Sequence, residues 1–357
     1  MAKAGADRNA NPGHEAKPRP YPPSWVDRFN AWAHRQTGPS WLYYLGIGLA
    51  LFSIQTGVLL AEGVRPIGPF LAPHAFLSSM IVFFPALLHY LDNMAETALA
   101  DLRPALKTDE EAYAALRYRL TTLPPLPTLL ASAISAITVV LITESLGAPA
   151  GFNALADYPI SSGLIYATYV IVWWVWGAFV YHTIHQLRLI NHIYTQHTRV
   201  NLFRTRLLYA FSSTTAVTAV SLTIPTYAWL AINQSVRDPI AMGITLPITA
   251  LALVAFFWPQ LGARRLLAQE KWHKLDELSL RFEALIDELR QRVDSRNLEE
   301  IDDLKKLIAA LEIEETALKS VSTWPWQPET LRYLMTALLL PLALWLVQYF
   351  LQRLLGL

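Results

Sequence analysis

Seven apolar stretches in this chain are each long enough to cross a lipid bilayer: Trp41–Ala61, Pro73–Asn93, Leu126–Leu146, Ile160–Tyr181, Leu207–Ile232, Pro239–Leu261 and Leu331–Gln352. A span needs about 20 predominantly apolar residues, because in hydrocarbon only a helix satisfies its own backbone hydrogen bonds. The expected fold is therefore an all-α polytopic membrane protein with seven transmembrane helices. An odd number of spans places the two termini on opposite sides.

Lys and Arg fix the orientation, since they resist translocation and collect in cytoplasmic loops. With the N-terminus inside, 26 of the 29 basic residues fall on the cytoplasmic side, leaving only Arg65, Arg237 and Arg353 outside. The sequence thus predicts a multi-pass protein of the plasma (inner) membrane, N-terminus cytoplasmic and C-terminus external.

The chain divides into four parts. Residues 1–23 are polar and Pro-rich, without the apolar core of a cleavable signal peptide, and are expected to form a disordered cytoplasmic tail. Residues 24–261 form the membrane domain with its interfacial and cytoplasmic helices, 262–328 a cytoplasmic helical hairpin, and 329–357 the seventh transmembrane helix. Ser24 is placed to cap a short helix whose Trp25, Phe29 and Trp32 make an aromatic stripe suited to the headgroup layer.

Several helices are expected to outrun the bilayer. The second continues to Arg103-Pro104, where Pro stops it, and an amphipathic helix then starts near Asp109. The fourth keeps a helical period past Tyr181, with no Gly or Pro before Asn201, and the sixth runs on through Val293. In that extension Leu275, Leu278, Phe282, Leu285, Leu289 and Val293 alternate three and four apart, the spacing of a coiled-coil seam. Asn297 with Glu300 then resembles a capping box for a return helix whose seam is Leu298, Ile301, Leu304, Ile308, Leu311 and Leu318. An antiparallel coiled-coil hairpin between spans six and seven is expected, and with it a homo-oligomer held through cytoplasmic helices.

Composition excludes several functions. A formal net charge of +1 offers no basic field for nucleic acid, and the absence of Cys removes thiol redox chemistry and Cys-type metal sites. No Walker-type Gly loop, G-x-S-x-G or H-E-x-x-H motif occurs, so neither an enzyme activity nor a cofactor is expected. No Asp, Glu, Lys or Arg lies centrally in a span, which argues against a proton relay.

Three polar constellations remain. His182 and His185 share a helical face with His192, and His89, Asp92 and Glu96 form a comparable face where the second span leaves the membrane. These groups are read either as a solvated helix surface or as ligands of a transition metal, the latter implying a metal-dependent membrane enzyme. Thr214, Thr218, Ser221 and Pro225 form a small, hydroxylated stripe, read as close helix packing or as a polar wall. In the last span Gln348 and Gln352 share a face with Pro341 and Trp345, and Thr336 lies near the inner end of another face; Gln348, Gln352 and Thr336 are the candidate pore-lining residues, with interfacial hydrogen bonding as the alternative role of the amides.

The segments QLRLINHIYTQHTRVNLF and VSTWPWQPETLRYLMTALLLPLALWLVQ resemble parts of bacterial multi-pass membrane proteins without an assigned activity. The whole-chain plan resembles the seven-transmembrane ion-channel superfamily of insect odorant and gustatory receptors. That resemblance implies a ligand- or stimulus-gated tetramer, a cytosolic anchor built by the prolonged helices, and a pore lined by the last membrane helix. Near the chain end ALWLV is followed by Gln348-Tyr349, matching the Gln of the gustatory-receptor motif, whereas Pro341-Leu342 stands where that motif has Thr-Tyr. The alternative expectation is a membrane-anchored scaffold or sensor that recruits a partner through the hairpin.

Overall fold

The computed structural model describes residues 20–63, 71–146, 155, 157–199, 202, 209–233, 239–295, 301–326 and 328–355; the side chains at 71, 146, 230, 231, 233, 239–244, 328 and most of 341–355 lie outside that description. The architecture is all-helical. The elements are α1 (Trp25–Arg35), α2 (Ser40–Ala61), α3 (Leu71–Leu102), α4 (Glu110–Thr121), α5 (Pro125–Leu146), α6 (Pro159–His197), α7 (Ser212–Asn233), α8 (Pro239–Asp294), α9 (Ile301–Ser320) and α10 (Pro328–Leu355). The described residues contain no strand, only an isolated antiparallel bridge between Leu106 and Thr198.

Among the described residues, five helical stretches are long and apolar enough to cross a membrane: Ser40–Ala61, Ala72–Ala105, Glu110–Ser145, Pro159–His197 and Thr245–Asp294. They contain α2, α3, α5, α6 and most of α8. The described parts of the other two expected spans, α7 and α10, are helical as well. Helix α7 begins at Ser212; Leu207, where the expected span starts, lies outside the described residues.

Helix limits follow local chemistry. The Ser24 hydroxyl accepts from Asp27 N–H, and the Asp27 carboxylate accepts from Ser24 N–H at 2.9 Å, so α1 opens on a reciprocal capping box. The Asp109 carboxylate caps α4 at Ala112 N–H. Helix α6 is capped from outside: the Glu62 carboxylate, just past α2, accepts from Ile160 N–H at 3.0 Å and Ser161 N–H at 2.7 Å. Glu62 is thereby held below the usual carboxylate range, by hydrogen bonding with Ser161 first and Ile160 after it.

The prolonged helices are present. Helix α6 has 39 residues, α8 has 56, and at 1.5 Å per residue α8 is about 84 Å long. Helix α9 returns along the distal part of α8: Leu278, Phe282, Leu311 and Glu315 line one groove, and Lys271 Nζ donates to the carbonyls of Lys319 and Val321 at 2.7 and 2.8 Å. Leu275, Leu278, Leu304 and Leu318 are buried, whereas Val293 is exposed. Of the expected capping box for the return helix, Asn297 and Glu300 lie outside the described residues, as does most of the expected tail.

Two apolar clusters hold the bundle. The first joins α3, α6, α7, α8 and α10 through Phe84, Val172, Phe179, Leu222, Phe256, Leu334 and Leu338. The second, toward the prolonged ends, gathers Leu99, Leu102, Leu116, Ile190, Tyr194, Phe211 and Leu267. Helices α5 and α6 pack closest: a Cβ on Gly177 would overlap the Ala131 carbonyl and fall 2.7 Å from Ser135 Cβ. Only glycine permits that approach.

Candidate functional site: an aromatic pocket joined to the last helix

Helices α3, α6, α7 and α8 line an open apolar pocket of about 150 Å³. Helix α3 contributes Phe76, Leu77, Met80 and Phe84; α6 contributes Tyr169, Val172, Trp173 and Trp176; α7 contributes Pro225, Thr226 and Trp229; and α8 contributes Ile248. The rings are mutually braced. Phe76 lies 5.3 Å from Trp229, Phe84 lies 5.2 Å from Trp176, and both Phe84 and Trp176 contact Phe179 at 5.3 and 5.5 Å. Offset and edge-to-face contacts at such separations are the arrangements that aromatic quadrupoles favour.

The heptad-like return of small and aromatic residues explains why the pocket forms here. On α6, Tyr169, Val172, Trp173 and Trp176 recur at three- and four-residue steps and face α3 and α7 together. On α7, Pro225 lies inside the helix and lines the pocket, so one backbone hydrogen bond is missing at the wall itself. A cavity of this size, lined by rings and aliphatic carbons, suits a benzene-sized apolar guest.

One turn of α7 connects this wall to α10. Tyr227, between the lining residues Thr226 and Trp229, donates its hydroxyl hydrogen to the Leu338 carbonyl at 2.9 Å and lies 3.3 Å from Thr249 Oγ1 of α8. Leu334 and Leu338 are buried in the same cluster as Phe84 and Val172. The turn before α10 is docked too: Trp326 stacks on Phe256 and Phe257, and the Arg264 guanidinium sits 3.8 Å above the Trp324 ring. The pocket wall is thus joined to α10 by a hydrogen bond as well as by packing.

The residues singled out from sequence have varied surroundings. Thr336 is exposed, on the face of α10 opposite Leu334 and Leu338. Gln348 and Gln352 belong to α10, but their side chains lie outside the described residues. Of the five metal-ligand candidates, only Asp92 and His182 are brought together, with Nε2 to Oδ1 at 2.8 Å. His185 Nε2 is 3.0 Å from the Arg119 carbonyl, His89 is 2.9 Å from the Asn93 amide and stacked on His34, and Glu96 pairs with Arg117. Among the described residues no group of three His, Asp or Glu has the geometry to hold a metal ion. Thr214, Thr218, Ser221 and Pro225 are all buried, and the Thr218 hydroxyl bonds back to the Thr214 carbonyl.

Sequence reasoning missed a second polar feature, a buried chain across α2, α3 and α6. The Gln55 amide donates to Thr168 Oγ1 at 2.8 Å, and its carbonyl oxygen lies 2.8 Å from His74 Nδ1. Thr168 spends its own proton on the Leu164 carbonyl, so Gln55 must donate to it and His74 must carry its hydrogen on Nδ1. The signal was a Gln and a His inside otherwise apolar runs. The aromatic pocket was also missed, because its residues are indistinguishable from lipid-facing aromatics until the helices are placed.

No family model, curated protein or solved structure matches this chain. The fold and composition define a helical protein of membrane-protein type, with five apolar helices long enough to cross a bilayer among the described residues.

Proposed function

We propose that this protein is a homo-oligomeric, tetrameric ion channel of the insect chemoreceptor-like type, gated by a small apolar or aromatic ligand in the pocket of α3, α6, α7 and α8. In this reading α7 and α10 complete seven spans with the N-terminus cytoplasmic and the C-terminus external, and the lipid bilayer is the host phase. The α10 helices surround the axis, with Thr336, Gln348 and Gln352 toward the pore. The coiled-coil hairpin of α8 and α9 lies in the cytoplasm and holds the subunits together.

The observation that carries the reading is the Tyr227 bond, which ties a ligand-sized aromatic pocket to the exposed-faced helix α10. A guest that separates α3 from α7 bears on the turn 225–229, whose helical ladder Pro225 already interrupts. Its differential affinity for the two positions of α7 sets the shift in open probability. Protein reconstituted in a planar bilayer should pass current on addition of indole or a similar ligand, and Trp173→Ala should weaken the response about tenfold, as loss of one stacking wall implies. Absence of current with any such ligand, together with a monomeric mass in detergent, overturns the proposal.

A second reading, a membrane-anchored scaffold or sensor, is favoured by the groove of about 440 Å³ between α8 and α9 and by exposed Leu280, Leu307 and Ile313 on the same two helices. Deleting 271–319 separates the two. The scaffold keeps a stable membrane domain and loses a pulled-down partner, whereas the channel loses its subunit assembly.

A further inference from the structure

Beside α1 lies a second, larger cavity, a cleft of about 710 Å³ bounded by α1, α3 and the end of α4. Its charges are ordered by depth. Arg28 and Arg35, seven residues apart on one face of α1, line the exposed lip, Glu96 lies at the cleft surface, and Asp27 and Asp92 are less exposed, farther in. The carboxylates are each held in place: Asp27 by Ser24 and by Leu123 N–H at 3.0 Å, Asp92 by His182, and Glu96 by Arg117. Trp32 lines the same cleft, on the helix whose amphipathic face places it at the headgroup layer.

We infer that this cleft binds the headgroup of a zwitterionic amino-phospholipid, with its ammonium inward on Asp92 and Glu96 and its phosphate at the lip on Arg28 and Arg35. The ligand chemistry is an ammonium joined by a short linker to a phosphate. A soluble phospho-amine shares it, and the interfacial character of α1 selects the lipid. An anionic headgroup without an amine meets the recessed carboxylates with like charge, so the cleft discriminates phosphatidylethanolamine from phosphatidylglycerol. The inference shares the membrane setting of the channel proposal but not its gating. It is tested without current, so a silent channel leaves it standing.

Intact protein transferred from detergent containing equal phosphatidylethanolamine and phosphatidylglycerol with matched acyl chains should retain the former about fivefold more by native mass spectrometry, the discrimination expected of one interfacial ion pair. Glu96→Gln, on the cleft surface, and Asp92→Asn should each reduce that ratio toward one, and Arg35→Gln should reduce retention of both lipids. Should Asp92→Asn fail to fold through loss of the His182 contact, Glu96→Gln alone decides. Equal retention of the two lipids by the unaltered protein, an unchanged ratio in Glu96→Gln, or displacement of lipid by stoichiometric soluble phosphoethanolamine overturns the inference.

Discussion

The pocket-bearing bundle and the α8–α9 arm are both made of long helices, yet they are held by opposite chemistry. In the arm, Lys274–Glu277, Arg281–Glu277, Arg292–Glu288, Lys306–Asp303 and Lys319–Glu315 all pair within one helix, three or four residues apart. Such pairs support each helix but carry no information about its neighbour. In the bundle the polar links are mostly neutral and cross between helices: Gln55 to Thr168 and His74, Asn30 to Tyr44 and the Pro85 carbonyl, Gln260 to Thr215, Tyr227 to Leu338. The arm is thus stabilised locally and aligned by its leucines and by the single Lys271 ammonium, which reaches the Lys319 and Val321 carbonyls. The bundle is aligned by bonds that exist only when two helices are in register.

That contrast is broken most severely by steric change in the bundle. Gly177→Leu forces α5 away from α6 and should cost about 3 kcal/mol or more, seen as loss of the folded species in a detergent melting experiment. Leu304→Ala in the arm should cost about 2–3 kcal/mol of local stability. Its effect should be confined to hydrogen exchange of α8 beyond Lys271 and of α9, with the bundle protected as before. If both substitutions lower one common transition, the two regions form a single cooperative unit and the comparison fails.

Tyr227→Phe removes one cross-helix bond and should lower bundle stability by about 1 kcal/mol. Exchange protection of α10 should fall, and that of α9 should stay unchanged. Two capping carboxylates should differ in sign with pH. Burial raises Asp27 above its ordinary range, so its linked stability is greatest at low pH and declines as pH climbs through the raised value. Glu62 is lowered, so its contribution is complete above the ordinary carboxylate range and is lost as pH falls through its folded value. Melting curves of Asp27→Asn and Glu62→Gln across pH 3 to 7, on the order of the carboxylate range, should each remove one of these slopes. The smallest effect is expected from Glu277→Gln, which disturbs two exposed pairs of the arm and should leave the melting temperature unchanged within error.

The helices were legible in the sequence because their determinants are local. The start at Ser24, the stop at Arg103-Pro104, the start after Asp109 and the uninterrupted runs of α6 and α8 follow from caps, prolines and apolar period. In α9, Leu304, Leu311 and Leu318 are less exposed than their neighbours. What the residues cannot announce is which helix stands beside which. His182 and His185 share a face in one dimension, yet one meets Asp92 and the other the Arg119 carbonyl, because α3 and α4 approach α6 at different heights. The pocket likewise depends on Phe76, Trp173 and Trp229 from three helices more than fifty residues apart, brought together only by packing.

Helix α8 joins the two regions without a break in its backbone, passing from the pocket wall at Ile248 to the groove at Arg290. Such a rod acts as a lever. A tilt of about 5° at its bundle end would sweep the far tip by about 7 Å over its length. Anything that grips that tip would sense movements too slight to disturb the contacts at the fulcrum.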